Sequence, residues 1–289
     1  MRIIEDVKEM RAEAADMLAR RCECGLVPTM GALHRGHLSL MDRSVRDNDV
    51  TVVSVFVNPT QFMPGEDFEA YPRTWDADIE AAEQAGVDIV FHPSPEQMYS
   101  PRAETSVQVH GLTRGLCGMS RGQGHFRGVT TVVAKLFNIV RPTRAYFGQK
   151  DAQQALVIQR MVIDLNFPLE IVVCPIVREK DGLALSSRNV NIPPEYRERA
   201  RALREALVMG REMIKNKQYD PLVLTNAMAG HILKDNEIEL DYLDIVSPET
   251  LDEVETIDDL VLMAGAIKIG GVRLIDNILV GPDGPWSDE

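Results

Sequence analysis

The sequence predicts an α/β fold built on a parallel sheet, followed by a smaller domain of the α+β type. In the first part of the chain, short apolar segments rich in β-branched residues alternate with segments of helical periodicity. This alternation stops after residue 188, where two helical segments precede three strand-like ones. We therefore expect a larger domain over residues 1–179 and a smaller one over residues 180–289.

The larger domain is predicted to contain five strands. The segment TVVSVFV at residues 51–57 is apolar throughout, as expected for a strand that is buried on both faces of a parallel sheet. Helices between the strands would supply the crossover connections that parallel pairing requires. The predicted strands are residues 25–29, 51–57, 87–91, 145–147 and 171–177, and the predicted helices are residues 37–48, 76–86, 130–140 and 151–165.

The smaller domain is predicted to begin with a long charged helix. Residues 193–217 are amphipathic and start with proline, which is favoured in the first turn of a helix. Gly270 and Gly271 separate the last two predicted strands, and a glycine pair between strands is typical of a tight hairpin. The other predicted elements are a helix at residues 221–236 and strands at residues 240–246, 260–269 and 272–280.

The charge distribution argues against a nucleic-acid partner. The chain of 289 residues has a formal net charge of −13. Residues 1–179 carry 19 basic and 23 acidic side chains, a net of −4, whereas residues 180–289 carry 12 and 21, a net of −9. Binding to nucleic acid depends on the neutralisation of phosphates, which such a surface disfavours. A small anionic substrate is compatible with this charge if basic side chains converge on it.

Cysteine usage and the N-terminal segment favour a cytoplasmic protein. Cys22 and Cys24 are too close in sequence for an ordinary disulfide, and no second cysteine pair has the spacing of a zinc site. Free thiols are usual in a reducing compartment. The N-terminal segment MRIIEDVKEM is acidic where a signal peptide is apolar, and no apolar run reaches membrane-spanning length. We therefore expect no membrane partner.

The segment VPTMGALHRGHLSL raises the question of whether His34 and His37 bind a metal, bind phosphate or cap a helix. The segment follows the first predicted strand, and parallel sheets bind ligands at the carboxyl ends of their strands. Imidazoles three residues apart share one face of a helical turn, and the unpaired N–H groups of a helix N-terminus suit phosphate. The zinc motif HExxH needs a glutamate where Arg35 stands. Phosphate binding and simple capping both stay open.

Three more polar loops follow predicted strands, so we expect them along the same edge of the sheet. Lys150 in GQKD is a point charge suited to a triphosphate, although a lysine beside an N-capping aspartate is also a common surface pattern. The SSR segment at residues 186–188 offers two hydroxyls and an arginine, or forms a polar linker. Gln61 and Gln154 are neutral amides that could hold hydroxyls or a carboxylate, whereas buried glutamines more often satisfy backbone groups. No Walker A sequence, GxSxG elbow or protein nucleophile is found.

An ordered set of segments resembles the pantothenate synthetase (pantoate–β-alanine ligase) family, which lies in the nucleotidylyltransferase superfamily with an HxGH motif. In chain order the segments are PTMGALHRGHLSL, FVNPTQF, EDFEAYPRT, GHFRGVTTVV, FGQKDAQQ, VREKDGLALSSRN and LIDNI. The resemblance implies a Rossmann-like nucleotidylyltransferase domain and a C-terminal α+β domain that acts as a lid. It also implies a homodimer formed through the N-terminal domain.

The reaction implied by the resemblance is a two-step ligation that forms AMP. ATP and (R)-pantoate would give pantoyl adenylate and pyrophosphate, and β-alanine would then displace AMP to give pantothenate. ATP is then a substrate, with Mg²⁺ on its phosphates, and the protein ligands of the metal are unknown. Because a carboxylate must approach a negatively charged phosphate, the site needs fixed positive charge and hydrogen-bond donors.

The family pattern, carried over by position, implies roles for three groups of residues. His37, His34, Lys150 and Arg188 would be catalytic, with His37 as the proton donor. Gln61 and Gln154 would bind pantoate, and Asn58, Tyr71 and His125 would also line the pantoate and β-alanine pocket. The ATP-binding residues would be Met30, Gly31, Ala32, Leu33, His34, Arg35, Gly36, His37, Gly148, Gln149, Lys150, Asp151, Val177, Leu185, Ser186, Ser187 and Arg188.

Three departures from the family pattern and two alternative functions accompany this prediction. The segment SRGQGHF at residues 120–126 is one residue longer than the family's pattern and lacks its proline, and Arg35 and Gln149 replace common glutamates. A related adenylyl- or cytidylyltransferase would act on a phosphorylated acceptor, which would more naturally meet arginines than Gln61 and Gln154. The other alternative is a nucleotide-binding regulatory protein without turnover.

Overall fold

The structure, a computed structural model, describes residues 1–63, 65 and 68–283 and divides into two compact units. The first unit consists of Met1–His110, Arg121–Gly148 and Val157–Cys174. The second consists of Gly111–Ser120, Gln149–Leu156 and the chain from Pro175 onward. The chain therefore enters and leaves the first unit more than once.

The first unit contains a six-stranded sheet in which every pair is parallel, with the order β1-β4-β3-β2-β5-β6. This confirms the predicted α/β class. The strands are β1 Arg2–Ile4, β2 Cys24–Thr29, β3 Val50–Val55, β4 Ile89–Phe91, β5 Arg144–Gly148 and β6 Glu170–Cys174. The helices up to β6 are α1 Val7–Ala19, α2 Arg35–Asp47, α3 Trp75–Gln84, α4 Pro95–Met98, α5 Cys117–Val140 and α6 Ala152–Asp164.

One core of the first unit lies between the sheet and helices α2 and α3. Alternate residues of β3, Val53 and Val55, pack there with Leu40 and Met41 of α2. Each such fully buried side chain stabilises the fold by about 1.5–3 kcal/mol. Gly25 lets α2 approach β2, because a Cβ atom there would lie 2.1 Å from the hydroxyl of Ser44. This packing sets the direction in which α2 leaves the edge of the sheet.

The second unit is built on an antiparallel sheet of three strands in the order β7-β8-β9. Gly270 and Gly271, with φ angles of 56° and 78°, form the two-residue turn between β8 and β9, so the predicted glycine hairpin is confirmed. Side chains of β8 are buried alternately in two apolar clusters, Met263 in one and Leu262 in the other. The elements are α7 Ala202–Lys215, α8 Pro221–Ile232, β7 Glu239–Val246, β8 Val261–Ile269 and β9 Val272–Val280.

The predicted helix at residues 193–217 is wrong over residues 193–201. Short 3₁₀ turns occupy Asn189–Asn191, Pro194–Tyr196 and Arg199–Arg201, and the α-helix begins only at Ala202. Pro193 has extended backbone because it precedes Pro194, but these two prolines do not account for the 3₁₀ turns that continue to Arg201.

Other predicted boundaries also shift. Helix α5 begins at Cys117, well before residue 130, and is interrupted at Gly122, where φ is 75° and ψ is 162°. The ladder of β3 ends at Val55, two residues earlier than predicted. Strand β1 and helix α1 were not predicted, because β1 has only three residues and α1 is highly charged. None of the helices in the described residues is long and apolar enough to cross a membrane.

Candidate active site

The order of the parallel strands indicates the edge of the sheet where a ligand would be expected to bind. From β2 the chain continues to β3 on one side, whereas β5 is followed by β6 on the other side. The direction of winding therefore reverses between β2 and β5, and open α/β sheets bind ligands outside the carboxyl ends of the strands at such a point. Strand β2 ends at Thr29 and β5 ends at Gly148. The HxGH segment follows the first of these ends directly.

The two histidines of that segment build the N-terminus of helix α2. His34 is the N-cap residue, and its Nδ1 atom accepts a hydrogen bond from the backbone N–H of Gly36 at 3.1 Å. The backbone N–H of His34 in turn donates to Nδ1 of His37 at 3.3 Å. The imidazole rings stack, with centroids 4.0 Å apart. The interpretation of His34 as a helix cap is therefore confirmed.

These hydrogen bonds fix the tautomer of both rings. An Nδ1 atom that accepts from a backbone N–H carries no proton, so a neutral imidazole must be protonated at Nε2. Each ring therefore presents an Nε2–H donor on the side opposite the backbone that it caps. Capping and phosphate binding are thus compatible, because capping uses Nδ1 whereas a phosphate would meet the Nε2–H side of the ring.

The loop between β2 and α2 is held by a residue that sequence reasoning missed. The buried carboxylate of Asp78 in α3 accepts hydrogen bonds from the backbone N–H groups of Ala32 and Leu33 at 2.9 and 2.8 Å. Gly31 and Ala32 both have positive φ angles, 81° and 49°. A Cβ atom at Gly31 would lie 2.8 Å from Oδ2 of Asp78, so the loop needs glycine there.

The signal that could have revealed Asp78 is its position on the helix. Asp78 and Ala82, four residues apart, are the buried residues of α3. An acidic residue on the apolar face of a helix needs a partner, because an unpaired buried charge is strongly unfavourable. Here its partners are backbone N–H groups of the loop that follows β2.

Gln61 lies against the start of the same loop. Its Nε2 atom is 3.2 Å from Sδ of Met30, and its Oε1 atom accepts from Nδ2 of Asn58 at 3.1 Å. Asn58 is 1% exposed and also accepts from the hydroxyl of Tyr99 at 2.8 Å. Burial raises the pKa of Tyr99, whose hydroxyl therefore stays protonated as a donor. Asn58 thus orients the amide of Gln61.

His125 supports Gln61 from helix α5. The backbone carbonyl of Gln61 can only accept, so the Nδ1 atom of His125, 2.8 Å away, is the donor. Nε2 of the neutral ring then accepts from the guanidinium of Arg121 at 3.2 Å. Gly128 permits the close approach, because a Cβ atom there would lie 2.3 Å from the carbonyl oxygen of Thr60. The longer segment at residues 120–126 therefore does not displace His125 from Gln61.

Tyr71 is buried beside this group. It is 5% exposed, and its ring meets that of Phe62 edge-on with centroids 6.0 Å apart. In the first unit the structure therefore brings Met30, Gln61, Asn58 and His125 together, with Tyr71 packed on the residue after Gln61. Arg35 is exposed to solvent.

In the second unit, residues 177–185 form a short hairpin instead of an open loop. The backbone N–H of Leu185 donates to the carbonyl of Val177 at 2.9 Å, and that of Glu179 donates to Leu183 at 2.8 Å. The turn ends at Gly182, whose φ angle is 93°. Two residues of the predicted ATP site, Val177 and Leu185, are thereby paired at the base of the hairpin.

The base of this hairpin is fixed by a buried ion pair. Arg178 donates to both carboxylate oxygens of Asp276 in β9, at 2.7 and 3.1 Å. Burial raises the pKa of the Asp276 carboxyl, and the Arg178 guanidinium opposes that rise. The bidentate geometry of this pair is that of a strong, orienting contact.

The GQKD turn is held by the neighbouring residue of β9. Asn277 donates from Nδ2 to the backbone carbonyls of Gln149 and Lys150, at 2.9 and 3.0 Å. Its Oδ1 atom accepts from the buried side chain of Gln149 at 3.3 Å. The ammonium of Lys150 lies 3.4 Å from the carboxylate of Asp151, a partly exposed pair. The sequence did not identify either β9 residue as part of the site.

The remaining predicted residues lie directly after the hairpin or in α6. Ser186 accepts from the backbone N–H of Arg188 at 3.3 Å, and Ser186, Ser187 and Arg188 are all partly exposed. Gln154 is partly buried in the first turn of α6, whereas Gln153 is buried and donates to the carbonyls of Leu112 and Gly115. The second unit thus carries hydroxyl and cationic groups on two anchored segments.

The fold and the histidine-bearing helix start together define an α/β nucleotide-binding enzyme. The family profile described as pantoate-beta-alanine ligase matches residues 2–279. The chain belongs to this family, which confirms the predicted family, fold class and enzyme class.

Curated relatives and solved structures are similar to this chain over nearly its full length. Pantothenate synthetase of Thermotoga neapolitana is 52% identical over 281 residues, which cover 97% of this chain and 100% of the relative. The crystal structure of pantothenate synthetase from Thermus thermophilus superposes with a TM-score of 0.92 at 47% identity, covering 98% of this chain and 100% of that one. Pantoate-beta-alanine ligase from Francisella tularensis, complexed with beta-gamma ATP and beta-alanine, has a TM-score of 0.78 at 34% identity, covering 98% and 99%.

Proposed function

We propose that the enzyme condenses (R)-pantoate with β-alanine in two steps driven by ATP. In the first step a carboxylate oxygen of pantoate attacks the α-phosphorus of ATP, and pyrophosphate leaves. In the second step the amine of β-alanine attacks the acyl carbon of pantoyl adenylate and loses a proton, and AMP leaves. Family membership supports this reaction, and so does the Francisella tularensis relative in complex with beta-gamma ATP and beta-alanine.

The observation that carries the residue-level proposal is the stacked pair of His34 and His37. Both Nδ1 atoms accept from backbone N–H groups, so both rings present Nε2–H donors at the start of α2. In the adenylation step these donors stabilise the charge that grows on the phosphate oxygens, with His37 as the proton donor. Donors fixed in advance by the helix cost little reorganisation when the reaction occurs. Residues 30–37 form the ATP loop, with Asp78 as the support of its backbone.

The second unit is proposed to supply the remaining ATP contacts. Lys150 offers a point charge for the phosphates, and Arg188 offers a planar guanidinium. The hydroxyls of Ser186 and Ser187 add donors beside it. Gln149, Asp151, Val177 and Leu185 of this unit, and Gly148 at the end of β5 in the first unit, complete the proposed ATP-binding set.

The acceptor side of the reaction is assigned to neutral amides. Gln61 and Gln154 would hold pantoate, which needs donors and acceptors for its hydroxyls and carboxylate. Asn58 and His125 act through Gln61, because their side chains bind its amide and its backbone carbonyl. The neutral amide of Gln61 favours a carboxylate or hydroxyl acceptor over a phosphorylated one, which disfavours the alternative transferase function.

Mg²⁺ is proposed to arrive on the phosphates of ATP. No group of three or more His, Cys, Asp or Glu side chains in the described part of the chain could hold a metal ion by itself. Mg²⁺ does not need such a cluster, because it is usually bound by substrate phosphates, waters and one or two carboxylates. The metal would neutralise phosphate charge when bound. Asp151 is the acidic residue of the proposed ATP site.

We further propose that the enzyme is a cytoplasmic homodimer that pairs through strand β6. Strand β6 is the last strand in the sheet order, so no strand of the described residues pairs with its outer side, and Val173 on it is 39% exposed. An exposed apolar edge strand is a surface on which a second copy can continue the sheet about a two-fold axis. The free cysteines at 22, 24, 117 and 174 support a reducing compartment.

The dimer proposal is tested by Val173→Lys, with Leu18→Lys as the control. Leu18 is 62% exposed on α1, so both variants add one charge at an exposed apolar position. Sedimentation velocity should give a dimer for the wild type and Leu18→Lys and a monomer for Val173→Lys. A monomeric wild type, or a dimeric Val173→Lys variant, would rule out pairing through β6.

The reaction is tested by pyrophosphate exchange. Labelled pyrophosphate is mixed with protein, ATP and Mg²⁺, and its incorporation into ATP is followed with and without pantoate. Adenylation predicts exchange that depends on pantoate and needs no β-alanine. Exchange with another acceptor but not with pantoate would overturn the proposed reaction. Binding of ATP without any exchange would instead favour a regulatory protein.

A further inference from the structure

Two consecutive residues of β9 hold both ATP-site segments of the second unit. Asn277 binds the backbone of the GQKD turn, and Asp276 binds Arg178 at the base of the 177–185 hairpin. Successive side chains of a strand point to opposite faces of the sheet. Leu274 and Ile278 share the face of Asp276 and lie in one apolar cluster, whereas Leu279, on the face of Asn277, packs against another. The two segments are therefore anchored on opposite faces of one strand.

The contacts of Asn277 are matched to its chemistry. A side-chain amide has two N–H donors on one atom, and Asn277 directs this nitrogen to the carbonyls of Gln149 and Lys150. Its oxygen accepts from the side chain of Gln149. Asn277 is 3% exposed, so these bonds do not compete with bulk water. They fix the two successive peptide groups that flank the Cα atom of Lys150, from which its side chain extends.

Asp276 fixes the other segment in a similar way. It receives both terminal nitrogens of Arg178, and one of these nitrogens also donates to the carbonyl of Gly182 at 3.2 Å. Arg178 therefore ties together the two arms of the hairpin while it is tied to β9. The second arm continues through Leu185 directly into Ser186–Arg188, so the position of the hairpin sets where the Ser–Ser–Arg run begins.

We propose that Asp276 and Asn277 are positioning residues that hold Lys150 and the Ser186–Arg188 run in a fixed mutual geometry for the phosphates of ATP. Neither residue needs to touch ATP. The distance along β9 between the two anchors is one residue, about 3.4 Å, which leaves little room for independent movement. This inference rests on the proposed function, in which both segments contact ATP.

Asn277→Asp is the most direct test, because it keeps the shape of the side chain and replaces its donors with an acceptor. An oxygen would then face the two carbonyls that Asn277 binds, and the turn should move. We expect kcat/KM for ATP in pyrophosphate exchange to fall by roughly 10- to 100-fold, as for a small displacement of a reacting group. KM for pantoate should change far less than KM for ATP, since Gln61 lies in the first unit and Gln154 lies on helix α6, outside the two peptide groups that Asn277 binds. Asn236→Asp adds the same charge at an exposed turn of the second unit and should behave like the wild type.

A double-mutant cycle separates positioning from general destabilisation. If Asn277 acts through Lys150, Asn277→Asp should cost little further activity in a Lys150→Ala background. Fully additive losses would overturn the inference. So would a variant whose Tm falls while its kinetic constants per folded enzyme stay unchanged. If Asn277→Asp does not fold, two other variants take its place in the experiment. Asn277→Ser removes the contacts without adding charge, and Asp276→Asn weakens the ion pair with Arg178. Each of these variants should raise KM for ATP.

Calorimetric titration with ATP alone distinguishes failure of this inference from failure of the proposed reaction. If the wild type binds ATP but shows no pantoate-dependent exchange, the proposed reaction is overturned. The positioning role can still be tested in that case, because it predicts that Asn277→Asp binds ATP more weakly than the wild type. A wild type that is active, with Asn277→Asp and Asp276→Asn binding ATP equally well, would overturn the positioning role and leave the reaction intact.

Discussion

The carboxylate of Asp78 holds Ala32 in a left-handed backbone conformation, with φ at 49° and a hydrogen bond of 2.9 Å from the Ala32 N–H. Non-glycine residues rarely adopt this conformation, so the loop depends on the contact that stabilises it. The other carboxylate oxygen accepts from Leu33 and from the hydroxyl of Thr74. One buried carboxylate thus sets the path of the chain between β2 and the histidine pair.

Asp78→Asn should therefore lower kcat/KM for ATP strongly while it lowers the free energy of unfolding only modestly. An amide has one oxygen, so one loop N–H would face an NH₂ group, at a cost of about 1–3 kcal/mol in the free energy of unfolding. Displacement of the loop should lower kcat/KM for ATP by up to about 100-fold. Asp76→Asn, on the exposed side of the same helix, is the matched control. Steady-state exchange kinetics with equal kcat/KM for both variants would contradict the role of Asp78.

Substitutions of His34 should separate its capping function from its donor function. His34→Ala removes both the Nδ1 acceptor and the Nε2–H donor, and loss of an N-cap costs roughly 0.5–2 kcal/mol. His34→Asn restores a good cap but no ring donor. We expect His34→Asn to recover the thermal stability of the wild type and not its adenylation rate. Recovery of the rate together with the stability would show that His34 acts only as a cap.

His37→Ala should lower the adenylation rate about a hundredfold or more, the effect of losing one transition-state donor. Single-turnover formation of pantoyl adenylate measures this step without the second one. His110→Ala is the control, because His110 is an exposed histidine in the same unit. An unchanged single-turnover rate for His37→Ala would remove His37 from the mechanism.

The elements that could be predicted from the sequence are those in which local pattern and tertiary environment agree. The β-branched run of β3 predicted a strand with both faces buried, and that strand lies inside the sheet. The glycine pair at 270 and 271 required positive φ angles and has them. By contrast, the amphipathic pattern at residues 193–217 predicted one helix, whereas short 3₁₀ turns occupy residues 194–196 and 199–201 and the α-helix begins at Ala202.

Residues of the candidate site could be predicted only where a short sequence segment contains the reactive side chains. His34 and His37 indicate a helix start with two imidazoles, and family resemblance proposed their ligand. Asp78 and Asn277 support the candidate site through contacts with residues that are distant in the sequence. Asp78 binds Ala32, which lies 46 positions before it, and Asn277 binds Gln149, which lies 128 positions before it. Sequence patterns describe near neighbours, so such distant supports appear only in the folded structure. Asp78 still left one trace, its place beside Ala82 on the buried face of α3.

Gln61→Ala should raise KM for pantoate far more than KM for ATP. The amide of Gln61 is oriented by Asn58 and lies beside Met30, so its loss would remove the proposed pantoate contact while the backbone held by His125 stays in place. Gln84→Ala, on the exposed surface of α3, is the control. Both constants can be measured in one exchange assay by varying each substrate in turn. Equal increases in the two KM values would count against a pantoate-binding role.

Asp6 gives a prediction for the dependence of stability on pH. It caps α1, and hydrogen bonds from the backbone N–H groups of Glu9 and Lys8 hold the pKa of its carboxyl below the ordinary value. A lowered folded-state pKa means that the stabilisation is present above the unfolded pKa of about 3.9 and is lost as the pH falls through the folded value. Asp6→Ala should therefore lower Tm at pH 7, and the difference from the wild type should shrink below about pH 4. Asp6→Asn, a cap that does not titrate, should show no such shrinkage. Thermal scans by circular dichroism between pH 3 and pH 7 measure these differences in Tm. If the difference in Tm between the wild type and Asp6→Ala does not change with pH, the carboxylate charge does not contribute to the cap.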